Sequence, residues 1–296
     1  MAERSQTQGF TLIELSIVLV VIGLIVGGIL VGQSLISAAG VRATVSQIEK
    51  YNTAANTFRE KYGYLPGDIP AVPAAQFGFI ARGTGPGQGD GNGLIEGGGG
   101  SNYGGTGGGS GEQLVFWVDL STAGLISGGF SAANFSSSPG TTTIINPYLP
   151  QAQLGGGNYI YVVSGGWGDT SGTASNGVNY FGLSAANKFA GTGSCTSCLA
   201  GANGLTVAQA AAIDAKLDDG MPFTGNVLAA YISNNEWIWP GAAAQQPPPN
   251  YIAIVPGAST CFDNGDNSSN TMHYSVEVSN GANVNCGLMF KMQAGD

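Results

Sequence analysis

Residues 10–36, FTLIELSIVLVVIGLIVGGILVGQSLI, form an almost continuous apolar stretch interrupted by one charged side chain, Glu14. From Leu15 to Val31 no residue carries a charge. That is near the lower limit for a helix that crosses a bilayer, and counting from Phe10 gives ample length. An ordinary secretory signal peptide fits poorly. Such a peptide places its charges before a short apolar core and small residues after it. Here the apolar run is long, and a helical pattern continues past it. A plain membrane anchor leaves Glu14 unexplained. A carboxylate at the bilayer centre costs on the order of 2.5–3.5 kcal/mol, and less near the interface. Glu14 therefore calls for a partner.

The helical pattern extends well beyond the apolar run. Val41, Val45, Ile48, Ala55, Phe58 and Tyr62 recur at helical spacing, with Arg42, Lys50, Glu60 and Lys61 elsewhere around the turn. One helix from Phe10 to Tyr62, about 80 Å long, is predicted. Residues 10–36 form its apolar half, and residues 37–62 form an amphipathic half that packs on a globular head. Gly63 suits a left-handed cap, and Pro66 blocks continuation.

Gly9-Phe10-Thr11-Leu12-Ile13-Glu14-Leu15, behind a short polar segment, resembles the cleavage and methylation motif of type IV prepilins and type II secretion pseudopilins. The resemblance implies that residues 1–9 are a leader, cut after Gly9 by a prepilin peptidase that also methylates the new N-terminal Phe10. It implies that Glu14 is retained as the fifth mature residue. Cleavage creates a positive amino group on Phe10, and Glu14 of a neighbouring subunit can pair with it. Such a pair adds little net stability but disfavours wrong registers. Glu14 is thus read as a register device rather than a catalytic acid. The fold implied is α+β and pilin-like: a long N-terminal helix packed on a small antiparallel sheet, with residues 63–296 as the head. The partners implied are further copies of the chain, other pilin-like subunits, the peptidase, the inner-membrane assembly machinery and the lipid bilayer. The location implied is the inner membrane, crossed once, with the head periplasmic or extracellular before incorporation into a pilus or pseudopilus. Arg4, the one basic residue of the leader, agrees with a cytoplasmic N-terminus. Glu14 argues against a tip pseudopilin, which lacks it. The length favours a minor or unusually large subunit. From another class, an anchored extracellular adhesin would use the helix as attachment and Trp167, Trp237 and Trp239 to meet sugars or surfaces.

Charged residues make up 9% of the chain, about a third of the share in soluble domains. Six of the nine basic residues lie at or before Arg82, so the chain beyond Arg82 is acidic. That surface repels phosphate backbones, and general nucleic-acid binding is not expected. Half of the positions from Gly78 to Gly111 are glycine, which predicts an irregular loop that buries no core. No Gly-Lys-Ser/Thr occurs, so there is no P-loop. Within the loop, Asp90, Asn92 and Glu96 offer oxygens at spacings a calcium ion could use. Leu94 and Ile95 stand where an EF-hand needs a ligand and a glycine. Some secretion pseudopilins carry calcium in a head loop. Asp263-Asn264-Gly265-Asp266-Asn267 is a second such run. No other cofactor is expected.

The head reads as a short amphipathic helix over Glu112–Ile126 ended by Gly124, then strand-like runs at Tyr159–Val163, Val178–Leu183, Asn226–Tyr231, Tyr251–Val255, Met272–Val278 and Gly287–Met292. The last two are expected to pair. Thr206 and Gln209 form a capping box for a helix that runs to Leu217, and Asp214, Asp218 and Asp219 read as its solvated end. Four cysteines allow three pairings. Closure of local loops favours Cys195–Cys198 and Cys261–Cys286, in a compartment where disulfides persist. Cys195-Thr-Ser-Cys198 lacks the further ligands zinc requires. His273 is the one histidine, and without a nucleophile elbow it makes no triad. No enzymatic activity is expected.

Overall fold

The computed structural model describes residues 11–83, 87–97, 109, 111–135, 139–164, 177–192, 195–230, 254–267 and 269–293. For residues 190–192, 195–198 and 230 it describes the backbone alone. The chain divides into two units, Met1–Gly40 and Val41–Asp296. Helix α1 (Leu12–Tyr62) begins in the first and continues into the second. In the first unit, residues 12–31 are exposed at every position. In the second, α1 buries Val41, Thr44, Ile48, Tyr51, Ala54, Ala55 and Phe58, spaced by three and four residues along one face. Val45 and Tyr62 pack at the edge of that face. The helix stops where Gly63, at φ 81°, donates its N–H to the Arg59 carbonyl at 2.8 Å.

Helix α2 (Ala71–Phe77) has no counterpart among the elements expected from sequence. Pro73 inside it hides the periodicity, although Pro70 before it and the left-handed Gly78 after it are ordinary boundary residues. Helix α3 (Glu112–Thr122) is shorter than the run to Ile126 that its pattern predicts, and it is not amphipathic. Nine consecutive residues, Glu112 to Leu120, are buried. Its Trp117 packs edge-on to Tyr51 of α1 at 5.0 Å and meets Phe116 and Phe181. The helix is covered on more than one side, so no face needs to be polar.

One sheet forms the head's frame. β1 (Asn158–Ser164) pairs with β2 (Asn179–Thr192), which also pairs with β3 (Cys195–Ala202). After β4 (Leu205–Thr206) comes helix α4 (Val207–Leu217), capped by Thr206 and Gln209, and then β5 (Val227–Ala230). The two-residue strands β6 (Phe262–Asp263) and β7 (His273–Tyr274) pair with each other apart from this sheet. The last strand, β8 (Val284–Lys291), lies between β2 and β5 along its second half and pairs with β4 at Val284 and Cys286. Every pairing is antiparallel.

Two expectations about strands require correction. Met272–Val278 is not a strand beside β8. Only His273 and Tyr274 are extended, and the chain then enters a 3-10 turn, Val278–Gly281. The physical reason is that both edges of β8 are already paired, leaving no edge to join. Ile254 and Val255 are not in a strand, and residues 251–253 of that run lie outside the described residues. β3, like α2, has no counterpart among the elements expected from sequence. The glycine-rich stretch also takes part in the core: Ile95 is fully buried and Phe79 nearly so.

The structure joins Cys261 to Cys286, tying the segment before β6 to β8. The side chains of Cys195 and Cys198 lie outside the described residues, as do Trp167, Trp237 and Trp239.

Candidate functional site

Thr11 and Glu14 build the start of α1. The Thr11 N–H and hydroxyl both donate to Glu14 Oε2 at 2.8 Å, and the Glu14 N–H donates to Thr11 Oγ1 at 3.3 Å. This is a capping box, two backbone donors satisfied reciprocally at a helix start. Beyond it the helix surface is apolar all round and uncovered, from Leu12 through Ile36. Among the described residues, α1 is the one helix long and apolar enough to cross a membrane. Gly23, Gly27, Gly28 and Gly32 have open space around their α-carbons. Small residues four apart let another helix approach closely. Gly9 and Phe10, where the cut and the methylation are expected, lie outside the described residues.

Among the described residues, acidic side chains of the head gather in three groups. The first involves the glycine-rich loop. Glu112, the first residue of α3, is fully buried and accepts the N–H groups of Gly89 at 2.7 Å and Glu96 at 2.9 Å. Asp68, in the turn after α1, is buried too and accepts the N–H groups of Gly91 at 2.7 Å and Gly93 at 2.8 Å. Burial, the largest effect on both, pushes Asp68 up to about 7 and Glu112 up to about 9. Asp90 brings a carboxylate oxygen within 4.8 Å of one from each. Of the residues expected to hold calcium, Asn92 donates its amide to Asp90 Oδ2 at 3.1 Å and to Glu96 Oε2 at 3.0 Å. That amide nitrogen joins the two carboxylates directly. The carboxylates the fold gathers are Asp68, Asp90 and Glu112, and sequence reasoning missed Asp68 and Glu112. Carboxylate oxygens suit a hard cation such as calcium, which takes six to eight of them. Five of the six oxygens of these three carboxylates already accept a backbone N–H, among them Asp90 Oδ1 from Asn92 at 3.1 Å.

The second group centres on Asp263, whose side chain accepts the Gly265 N–H at 3.0 Å and the Ser275 hydroxyl. His273 Nε2 lies 3.5 Å from Asp263 and 3.9 Å from Glu277. The Asp263–Asn267 run is thus a turn whose first acid points to β7 and whose Asn264 side chain accepts the Ile254 N–H. The third group is only in part the solvated helix end expected of it, since Asp219 is exposed and Asp218 half-buried. Asp214 is fully buried and accepts the Tyr274 hydroxyl at 2.8 Å and the Gly220 N–H at 3.2 Å. Burial raises it to about 6. Asp218 accepts the N–H groups of Asn226 and Val227, so it organises the entry to β5.

The feature with a recognisable chemical purpose is the N-terminal one. Residues 4–30 match the prokaryotic N-terminal methylation motif. The chain carries a prepilin leader. Such a leader, of the type IV pilin and pseudopilin kind, implies processing by a prepilin peptidase and assembly with other pilin-like subunits. No curated protein and no solved structure matches the chain. The prepilin leader and the uncovered apolar helix behind it mark a pilin-type, membrane-anchored subunit. The α+β head, with its helix packed on an antiparallel sheet, is consistent with a pilin-like fold.

Proposed function

We propose that this chain is a structural subunit, minor or unusually large, of a type IV pilus-like or type II secretion pseudopilus filament. It waits in the inner membrane with its N-terminus cytoplasmic and its head outside. Cleavage after Gly9 frees the Phe10 amine, the peptidase methylates it, and assembly machinery inserts the subunit into the filament. There the apolar half of α1 exchanges lipid for the helices of neighbouring subunits. The observation that carries this reading is the methylation motif over residues 4–30, immediately ahead of a helix whose apolar surface no other described part of the chain covers.

The roles of individual residues follow from their chemistry. A protonated amine on Phe10 and the Glu14 carboxylate of a neighbour form a pair in a low-dielectric setting. Removing one partner of such a pair leaves the other buried and uncompensated, which disfavours every register but one. Both capping bonds from Thr11 fall on Glu14 Oε2, so Oε1 can turn toward the neighbouring amine.

Mass spectrometry of the mature N-terminus tests the processing step, and a chain beginning at N-methylated Phe10 is expected. A chain that begins at Met1, or after Val31, defeats the reading. Glu14→Ala tests the register step. It should insert and be processed normally while sheared filaments drop at least tenfold. Normal filament yield would show that Glu14 does not set the register. Imaging of sheared filaments then separates a surface pilus from a short secretion pseudopilus.

A further inference from the structure

We propose that Asp263, His273 and Glu277 form a binding site for a divalent transition-metal ion such as zinc, at the surface of the β6–β7 pair. Asp263 of β6 and His273 of β7 stand directly opposite each other in the ladder. Residues so paired send their side chains to the same face. Glu277 stands at the entry to the turn Val278–Gly281, and the chain bends enough there to return its Oε1 to the imidazole. One ligand atom from each residue lies within 4.8 Å of the other two. The spacing is what distinguishes this group. His273 Nε2 is 3.5 Å from Asp263 Oδ1 and 3.9 Å from Glu277 Oε1. Both distances exceed the roughly 2.7–2.9 Å of a charge-assisted hydrogen bond. They come close to the separation of two ligands on one ion: bond lengths near 2.1 Å put neighbouring corners of a tetrahedron about 3.4 Å apart. A slight contraction of two exposed side chains onto a shared ion closes the difference.

One of the three ligands is held in place before any ion arrives. The Asp263 side chain is 1% exposed, its Oδ1 accepts the Gly265 N–H at 3.0 Å, and its Oδ2 accepts the Ser275 hydroxyl. Oδ1 keeps a second lone pair for the ion. Ser275 is itself fixed, since its N–H donates to the Cys261 carbonyl at 3.1 Å and its Oγ accepts the Thr260 hydroxyl at 3.2 Å. The Asn285 amide donates to the Thr260 carbonyl at 3.0 Å, and the Cys261–Cys286 disulfide ties the segment to β8. Outer hydrogen bonds of this kind orient a ligating carboxylate and raise metal affinity.

The donor set decides the class of ion. Calcium takes oxygen ligands, six to eight of them, whereas imidazole suits zinc, copper, iron and nickel. One imidazole nitrogen and two carboxylate oxygens therefore turn this site away from calcium, in contrast to the all-oxygen group of Asp68, Asp90 and Glu112. Two carboxylates and a neutral imidazole also match the charge of a divalent ion. The side chains of His273 and Glu277 are 49% and 48% exposed, so the ion can enter from solvent and water can fill the remaining position. A bound ion would brace β6, β7 and the turn after them as one unit.

His273 is the one histidine of the chain, so a single imidazole signal reports on the site. The full chain, labelled with 13C-histidine and held in detergent micelles, is titrated with zinc at one fixed pH and followed by NMR. The imidazole signal should shift and saturate at one zinc per chain, return on adding EDTA, and stay unmoved in excess calcium. Zinc taken up elsewhere on the chain does not move it. Glu277→Gln, at an exposed position, and Asp263→Asn, which can still accept from Ser275, should each weaken the zinc response about tenfold or more. An imidazole signal that zinc leaves unchanged overturns the site. So does a response that is as tight in Glu277→Gln as in the unaltered chain, which would show a histidine binding alone. A shift with calcium in place of zinc overturns the assignment of the ion.

Discussion

Two stretches of this chain are apolar on every side and end in opposite surroundings. The first part of α1 is exposed at every position from 12 to 31, whereas α3 buries nine residues in succession. Polarity does not predict which is enclosed, since α3 carries Glu112, Gln113 and Asp119 among its buried residues and the stretch from Leu15 to Val31 carries no charge. Each also carries acids bonded within the chain. Glu14 takes its bonds from Thr11, and Glu112 and Asp119 take theirs from backbone N–H groups and Arg82. What differs is the company each helix finds in its own chain. Tyr51, Phe130 and Phe181 surround Trp117 of α3, and nothing comparable reaches Leu19 or Leu24. A helix that is apolar all round announces that it will be enclosed without saying by what. For α3 the head does the enclosing. For the first part of α1, the proposed function gives the task to lipid and to other subunits.

Three experiments press on that comparison. Trp117→Ala should be the most damaging, costing about 3–5 kcal/mol of head stability in urea unfolding, because the cavity opens among rings that cannot close it. Replacing Cys261 and Cys286 together by serine should cost about 3.5 kcal/mol by the loop-closure argument, read in the same assay without reductant. Leu19→Ala should change head stability by less than about 0.5 kcal/mol. Its effect belongs in detergent extraction and filament yield. If Leu19→Ala weakened the head as much as Trp117→Ala does, the two helices would share one core and the contrast would collapse.

Much of this architecture was legible in the sequence because it rests on periodicity. The buried face of α1 repeats at three and four residues, and β1, β5 and β8 are runs of apolar residues between turns. Elements without such a signal were missed. β3 is made largely of Cys, Thr, Ser, Ala and Gly, whose small side chains give no alternation to read, and α2 carries an internal proline. The run at Met272–Val278 had the right composition for a strand, but strand formation also requires a free edge, which is a property of the sheet. The same division holds for the sites. The Gly9–Leu15 motif is contiguous, so its residues could be singled out together. Asp68 and Glu112 are far apart in the chain and meet only through the fold. Asp90, Asn92 and Glu96 could be singled out because their spacing was visible, whereas the bonds from the Asn92 amide to both carboxylates were not.

The glycine-rich segment held by Asp68 and Glu112 has a consequence for how this head can diversify. Gly89, Gly91 and Gly93 present only backbone to the acids that hold them. The residues between and beyond them, Asp90, Asn92 and Leu94, carry the side chains, and the first two are exposed. Attachment and display therefore occupy alternate positions of one short ribbon. Changes at the display positions can alter what the head shows to its surroundings while the mounting stays the same.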